Sequence, residues 1–252
     1  MDEAVLYDRL VGLMFLLAVV TFVLLQFVSA PYGRHEREGW GPRLPARLGW
    51  VLMESPSGVG FAVIFASSGG FGAGWGPVAL FAMWQVHYAY RTFVFPLRMR
   101  GGRAVPLIVV GLAFAFNCLN AYVNARWIGH FGDYPSDWLL DPRFLIGLLV
   151  FAAGFGLNLH SDAVLRRLRR PGDTGYRIPQ EGLHRHVAAP NYSAEIVEWM
   201  GYALAAWSLA GLGFAVYSIA NLAPRAVQHL RWYRETFSDY PSGRRALVPF
   251  VF

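Results

Sequence analysis

Glu195 and Glu198 stand three residues apart in the stretch 179–207, PQEGLHRHVAAPNYSAEIVEWMGYALAAW, where a polar loop passes through Asn191 and Tyr192 into a long apolar run. On a helix that spacing puts both carboxylates on one face. A second polar group, Asn158, His160 and Asp162, closes another apolar run upstream. Glu54 and the cluster His87, Tyr88, Tyr90 and Arg91 sit inside apolar segments of their own. A single interfacial acid can snorkel into headgroups, but a whole set of ionisable side chains at or within hydrocarbon is costly and marks function. A carboxyl group in apolar surroundings tends to its protonated form, which donates a hydrogen bond. Beside a phenol it could polarise a substrate carbonyl, and Glu54 with Tyr88 is the candidate pair. Taken singly, Glu54 also has a plainer reading as a buried acid satisfied by a neighbouring Asn or His, and a lone Tyr88 would more often be packing.

The elements that must position these groups are membrane helices. The 252 residues are 55% hydrophobic and only 15% charged, against roughly a quarter charged in a soluble domain. All 22 basic residues are arginine. That fits codon bias in a GC-rich genome, and guanidinium groups also suit bidentate oxyanion recognition. The pI near 9.7 would suggest nucleic acid, except that the arginines fall between the apolar runs, as membrane topology requires. The single cysteine, Cys118, rules out an internal disulfide and a multi-cysteine metal site.

Residues 10–30 form an uninterrupted apolar run long enough to span about 30 Å of hydrocarbon. Asp2, Glu3 and Asp8 precede it, so it reads as a first span and not as a cleaved signal peptide. Further spans are expected near 47–67, 77–97, 105–128 and 144–165, with Pro56 distorting the second. The apolar stretch 193–221 is too long for one span, and Gly211 with Gly213 offers a break into two. Seven spans place the basic loops 31–46, 98–103 and 163–190 and the tail from Arg225 on one side. The acidic N-terminus and the loop carrying Asp133, Asp137 and Asp141 fall on the other. The positive-inside rule then predicts an all-α integral membrane protein of about seven transmembrane helices, N-terminus outside and C-terminus cytoplasmic. A six-span count would strand the basic tail.

Glu54 and Tyr88 lie within their spans, whereas the Asn, Asp and Arg cluster lies at the cytoplasmic ends. The layout predicts two compartments, an arginine-ringed mouth for a charged cofactor and an apolar pocket above it for the substrate. Three other signals are set aside. The glycine-rich loop at 69–76 lacks the strand and spacing of a dinucleotide fingerprint. The sequon at Asn191 falls on the cytoplasmic face. His160, His184 and His186 lack the spacing of a closed metal shell, so no metal is expected. Arg166 and Arg170 read as topological charge.

Several long motifs in order carry a resemblance: RLPAR at 43–47, HY..RTFVF at 87–95, GLNLHSD at 156–162, LR.PG...YRIP at 168–179, N...EI.EW.GYALA.WS at 191–208, and WY...F.DYP..R.AL.PF.F at the end. On these the chain resembles the steroid 5α-reductase family over nearly its whole length, as a single membrane-embedded domain, 1–252. The resemblance implies NADPH-dependent reduction of the ring double bond conjugated to a steroid ketone. Glu54 and Tyr88 would then hold the ketone, with hydride delivered from the nicotinamide to the β carbon. Asn158, Asp162, Arg169, Tyr176, Asn191, Glu195, Arg225, His229 and Tyr233 match positions around the cofactor, together with Arg103. The part from about 104 to 252 would thus form most of the cofactor site. The loop RMRGGR at 98–103 holds one residue more than the family pattern, and Met53 stands where many relatives carry Gln. The expected partners are an apolar steroid or similar enone and membrane lipid, not nucleic acid. The expected location is a bacterial inner membrane, or the endoplasmic reticulum in a eukaryote. Two other readings stay open: an isoprenylcysteine-type membrane methyltransferase using S-adenosylmethionine, which would not need Glu54 with Tyr88, and a non-catalytic sterol-binding seven-span protein.

Overall fold

Asp2 caps the first helix by accepting from the Ala4 amide, and the apolar run behind it continues as α1, Glu3–Phe27. This and the rest of the chain come from a computed structural model that describes residues 2–169 and 175–252. Arg170 and the Pro171–Gly172 part of the fourth motif lie outside the described residues. The chain is built of helices, α2 (Ala46–Ser67), α3 (75–98), α4 (Leu107–Phe131), α5 (Pro142–Arg167), α6 (Pro190–Ala206) and α7 (Leu209–Thr236). Among the described residues α1, α2, α4 and α5 are long and apolar enough to cross a membrane. Their outward faces carry exposed Leu, Val, Ile and Phe, which suits contact with lipid. The short strands β1 (Arg43–Leu44) and β2 (Val105–Pro106) pair antiparallel and tie the loop after α1 to the start of α4.

Pro56 does distort α2. It has no amide hydrogen, and the helix widens into a π-turn over Pro56–Gly60. The Ser55 hydroxyl meets the Leu52 carbonyl instead, at 3.0 Å. α3 and α4 carry similar wide turns at Tyr90–Val94 and Trp127–Phe131.

The last apolar stretch does break in two, though not at the glycines. The chain turns at Trp207, whose φ of 44° is left-handed, and restarts with the Ser208 hydroxyl accepting from the Gly211 amide at 2.9 Å. Gly211 and Gly213 lie inside α7. A Cβ on Gly213 would come within 3.0 Å of Met14 Sδ on α1, so this glycine serves close helix approach.

The tightest approach joins α5 and α6. A Cβ on Gly154 would fall 2.4 Å from the Glu198 amide nitrogen, one on Gly147 2.5 Å from that of Ala205, and one on Gly201 2.3 Å from that of Phe151. Helices that near each other gain dispersion along both backbones, the main source of association where lipid is as apolar as leucine. The principal core then fills with Trp84, Trp199, Tyr202, Phe61 and Phe65, contributed by α2, α3 and α6. In the glycine-rich loop, a Cβ on Gly70 would run into the Phe65 ring.

Candidate functional site

A cavity of about 430 Å³ opens between α2, α3, α4 and the ends of α5, α6 and α7. Its apolar wall includes Trp50, Met53, Ala113, Phe116 and Phe214. Glu54 enters from α2 and Tyr88 from α3. The mouth is ringed by Arg34, Arg98, Arg100, Arg103, Arg166, Arg169 and Arg225. Asp162, Tyr176, Asn191, Glu195, His229 and Tyr233 line the same space. Asn158 does not line it; its buried side-chain amide donates to the Asn191 carbonyl at 3.0 Å and to Glu195 Oε2 at 3.5 Å.

The backbone around Glu54 is held from outside its own helix. Asn117 Nδ2 donates to the Met53 carbonyl at 2.7 Å, and Thr92 Oγ1 to the Glu54 carbonyl at 3.3 Å. Trp84 Nε1 donates to the Ser57 carbonyl at 2.8 Å and Gln85 Nε2 to the Gly58 carbonyl at 3.0 Å. These donors come from α3 and α4, and a buried carbonyl without a donor is expensive.

Arg91, named in the sequence only as one of a polar cluster, takes a specific place at the site. It lines the cavity, donates to Asp162 Oδ2 at 3.4 Å and to Glu195 Oε2 at 3.3 Å, and lies over the rings of Trp50 and Phe95 at 5.2 and 4.9 Å. The available signal was spacing. His87 and Arg91 are one turn apart on α3, and Glu198 and Glu195 nearly so on α6.

The mouth is built of guanidinium groups on aromatic faces. Arg34 lies 4.6 Å from the Tyr233 ring centre and 5.0 Å from that of Trp232. Arg169 lies 5.0 Å over Tyr176 and donates to the Arg100 carbonyl at 3.4 Å. Arg225 donates to the Tyr192 hydroxyl at 3.0 Å and sits over Tyr32. His229 packs between His35 and Tyr192. Arg103 leans away to Glu36 Oε2 at 3.2 Å, and its side chain is half exposed. His35, in the loop after α1, is pushed down to about 4 by burial and by the cations of Arg34, Arg225 and Arg37. An added anion would meet donors with unused capacity, because Arg34 Nη1 is buried without a partner among the described residues.

Comparison with known proteins decides the relationship. The family model described as 3-oxo-5-alpha-steroid 4-dehydrogenase matches residues 103–252. The chain belongs to the 3-oxo-5-alpha-steroid 4-dehydrogenase family. It is 45% identical over 99% of its length to 98% of 3-oxo-5-alpha-steroid 4-dehydrogenase 1 of Bos taurus. It is 42% identical to the steroid 5-alpha-reductase DET2 of Gossypium hirsutum, over 95% of each chain. The Arabidopsis thaliana DET2 is 40% identical over 92% of this chain and 91% of its own. The matched region begins at Arg103 and takes in every residue that the sequence resemblance placed around the cofactor. Glu54, Tyr88 and Arg91 lie before it and fall within the full-length likeness to the Bos taurus 3-oxo-5-alpha-steroid 4-dehydrogenase.

Proposed function

We propose that the protein is an NADPH-dependent steroid 5α-reductase that reduces the C4–C5 double bond of 3-oxo-4-ene steroids. The observation that carries this reading is the cavity's division. Glu54 and Tyr88 come from different helices to its apolar side, and the arginines ring its mouth. NADPH, when bound, supplies a hydride for the β carbon of the enone. The residues at the mouth fit such a group. Arg34, Arg169 and Arg225 would hold its phosphates, with Arg103 at the rim, and Tyr176, Tyr192, His229 and Tyr233 offer flat faces to its rings. Asp162, Asn191 and Glu195 supply acceptors for its hydroxyl and amide groups, with Asn158 fixing Asn191 and Glu195 from behind.

Glu54 and Tyr88 donate hydrogen bonds to the ketone oxygen. Those bonds strengthen as negative charge builds there, so the pair counts most in the transition state. The apolar wall excludes water and keeps the local dielectric low, which enlarges that effect.

The same cavity supports the seven-span topology. The basic loops gather at one end of the bundle, where Arg103 meets Glu36 and Arg34 meets Tyr176 and Trp232. With the mouth cytoplasmic, the cofactor site opens to the soluble pool while the inner pocket lies at membrane depth. Family membership favours this reductase over the methyltransferase and over a non-catalytic sterol binder. Product analysis by mass spectrometry, with a panel of 3-oxo-4-ene steroids and NADPH, tests the reading. A two-hydrogen mass gain on at least one steroid is expected. A protein that NADPH stabilises but that converts none of the panel would overturn the substrate class. NADPH at a hundred times its dissociation constant should stabilise by about 2.7 kcal/mol.

A further inference from the structure

One face of α7 walls the cavity along its depth, with Phe214, Tyr217, Ser218, Asn221, Leu222 and Arg225 in turn. Its two ends belong to different compartments. Phe214 packs in the apolar core, its ring centre 5.5 Å from that of Trp84 and 4.4 Å from that of Trp199. Tyr217 stacks on Phe116 of α4 with ring centres 3.5 Å apart. The next residue of α4, Asn117, donates to the Met53 carbonyl beside Glu54 at 2.7 Å. Arg225 reaches the Tyr192 hydroxyl at the mouth. Asn221 stands one turn after Tyr217 and one turn before Arg225, about 6 Å along the axis from each. It occupies the boundary between the apolar pocket and the arginine-ringed mouth.

Polar neighbours on this wall are committed elsewhere. The Ser218 hydroxyl donates to the Phe214 carbonyl at 2.9 Å. Asn117 spends its nitrogen on Met53 and its oxygen on Ser57 Oγ, at 2.9 Å. Asn221 is only partly buried and makes no hydrogen bond to the protein among the described residues. A primary amide interrupting an apolar wall at membrane depth is costly unless a ligand pairs with it. Its carbonyl accepts and its nitrogen donates, side by side. A ketone or a hydroxyl answers one of these at a time, whereas a second primary amide answers both through two parallel bonds. The ketone of the proposed substrate already has Glu54 and Tyr88. NADPH carries a primary amide on its nicotinamide, and the arginines of the mouth hold its phosphates on the far side of Asn221.

We infer that Asn221 holds the nicotinamide carboxamide, its side-chain oxygen accepting from the carboxamide nitrogen and its nitrogen donating to the carboxamide oxygen. This rests on the reading of the protein as an NADPH-dependent reductase. Holding that group restrains rotation of the ring about its bond to the ribose. One face of the ring is thereby kept toward the enone that Glu54 and Tyr88 hold, which is the orientation hydride transfer needs.

The test measures binding to the full-length protein with three ligands. They are NADP+, its 3-acetylpyridine analogue, in which a methyl group replaces the carboxamide nitrogen, and 2′-phosphorylated ADP-ribose, which lacks the nicotinamide. Dissociation constants follow from the thermal midpoint against ligand concentration. Asn221→Leu, similar in size but without polar atoms, should weaken NADP+ about tenfold, the worth of one or two neutral hydrogen bonds. It should weaken the acetylpyridine analogue less, because that ligand keeps only the carbonyl. Phosphorylated ADP-ribose should bind as it does to wild type, which also reports that the variant is folded. Unchanged NADP+ affinity, or an equal loss for all three ligands, would overturn the assignment and leave the reductase reading intact. Unchanged cofactor binding with a raised KM only for steroids bearing a polar group remote from the ketone would give Asn221 to the substrate instead. A wild-type protein that none of the three ligands stabilises would remove the cofactor reading, and this inference with it.

Discussion

His87 Nδ1 of α3 lies 2.7 Å from Glu198 Oε1 of α6, both side chains almost wholly buried. One turn further along α3, Arg91 reaches Glu195, which precedes Glu198 on α6. Advancing on one helix means retreating on the other, so the two pairs form a ladder between antiparallel helices. The inner rung sits in the core and the outer one on the cavity wall. The ladder fixes the rotation of α3, and with it the direction in which Tyr88 points.

The outer rung leads to the first prediction. Arg91 is the cation held against buried Asp162 and partly buried Glu195, and its removal leaves both carboxylates without it. Breaking a buried ion pair from one side costs about 3–5 kcal/mol. Arg91→Gln should therefore lower the thermal midpoint markedly even without cofactor. Adding Glu195→Gln to it should restore part of the loss by removing one uncompensated charge. Should the double variant prove as unstable as the sum of both single ones, Arg91 is not acting through this carboxylate.

Much of this was legible in the sequence, for identifiable reasons. Apolar length and Pro56 located the helices and the distortion in α2, because both act through nearest neighbours in the chain. The break before α7 was misplaced because a left-handed Trp207 leaves no mark in composition. Of the glycines that suggested the break, Gly213 admits Met14 of α1 and Gly211 lies against Ser208 and Ala203. The proposed cofactor residues were named from a resemblance, and the cavity brings all but Asn158 to one surface. Arg91 was seen only as part of a polar cluster, since its partners lie 71 and 104 residues further on.

The arginines at the mouth predict cofactor choice. If Arg169 meets the 2′-phosphate, Arg169→Ala should raise the apparent constant for NADPH by about ten- to a hundredfold, the range of a charge-assisted hydrogen bond, and for NADH much less. Arg103 should matter less, because Glu36 already answers part of its charge and its side chain is half exposed. Steady-state kinetics with both cofactors would decide. Equal losses for NADPH and NADH in Arg169→Ala would assign that arginine to the shared part of the molecule or to shaping the loop.

Two histidines outside the spans predict a pH dependence. Burial, aided by neighbouring arginines, pushes His35 down to about 4, and burial does the same for His184, also to about 4. In the unfolded chain both titrate near 6.5. Between those values the unfolded state binds more protons, so stability rises with pH and is lost as pH falls from about 6.5 toward about 4. The thermal midpoint of ligand-free protein should drop over that window. A His35→Gln, His184→Gln variant should drop less steeply, while other groups keep some slope. Identical slopes would mean that neither ring stays neutral in the fold.

The chemical step gives the sharpest prediction. Glu54 and Tyr88 arrive on α2 and α3, and the hydrogen bonds around them come from α3 and α4 rather than from α2 itself. The pair therefore keeps its place when one member is altered conservatively. Removing one donor aimed at a developing oxyanion costs on the order of a hundredfold in turnover. Glu54→Gln and Tyr88→Phe should each reduce kcat on that scale while NADPH still stabilises the protein. Gln retains a donor, so Glu54→Gln should lose less than Glu54→Ala. Near-normal turnover by Glu54→Ala on a 3-oxo-4-ene steroid would remove this carboxyl group from the mechanism. Loss of NADPH stabilisation in the same variant would instead move Glu54 into the cofactor's surroundings, and the two outcomes are separated by measuring turnover and thermal shift on one preparation.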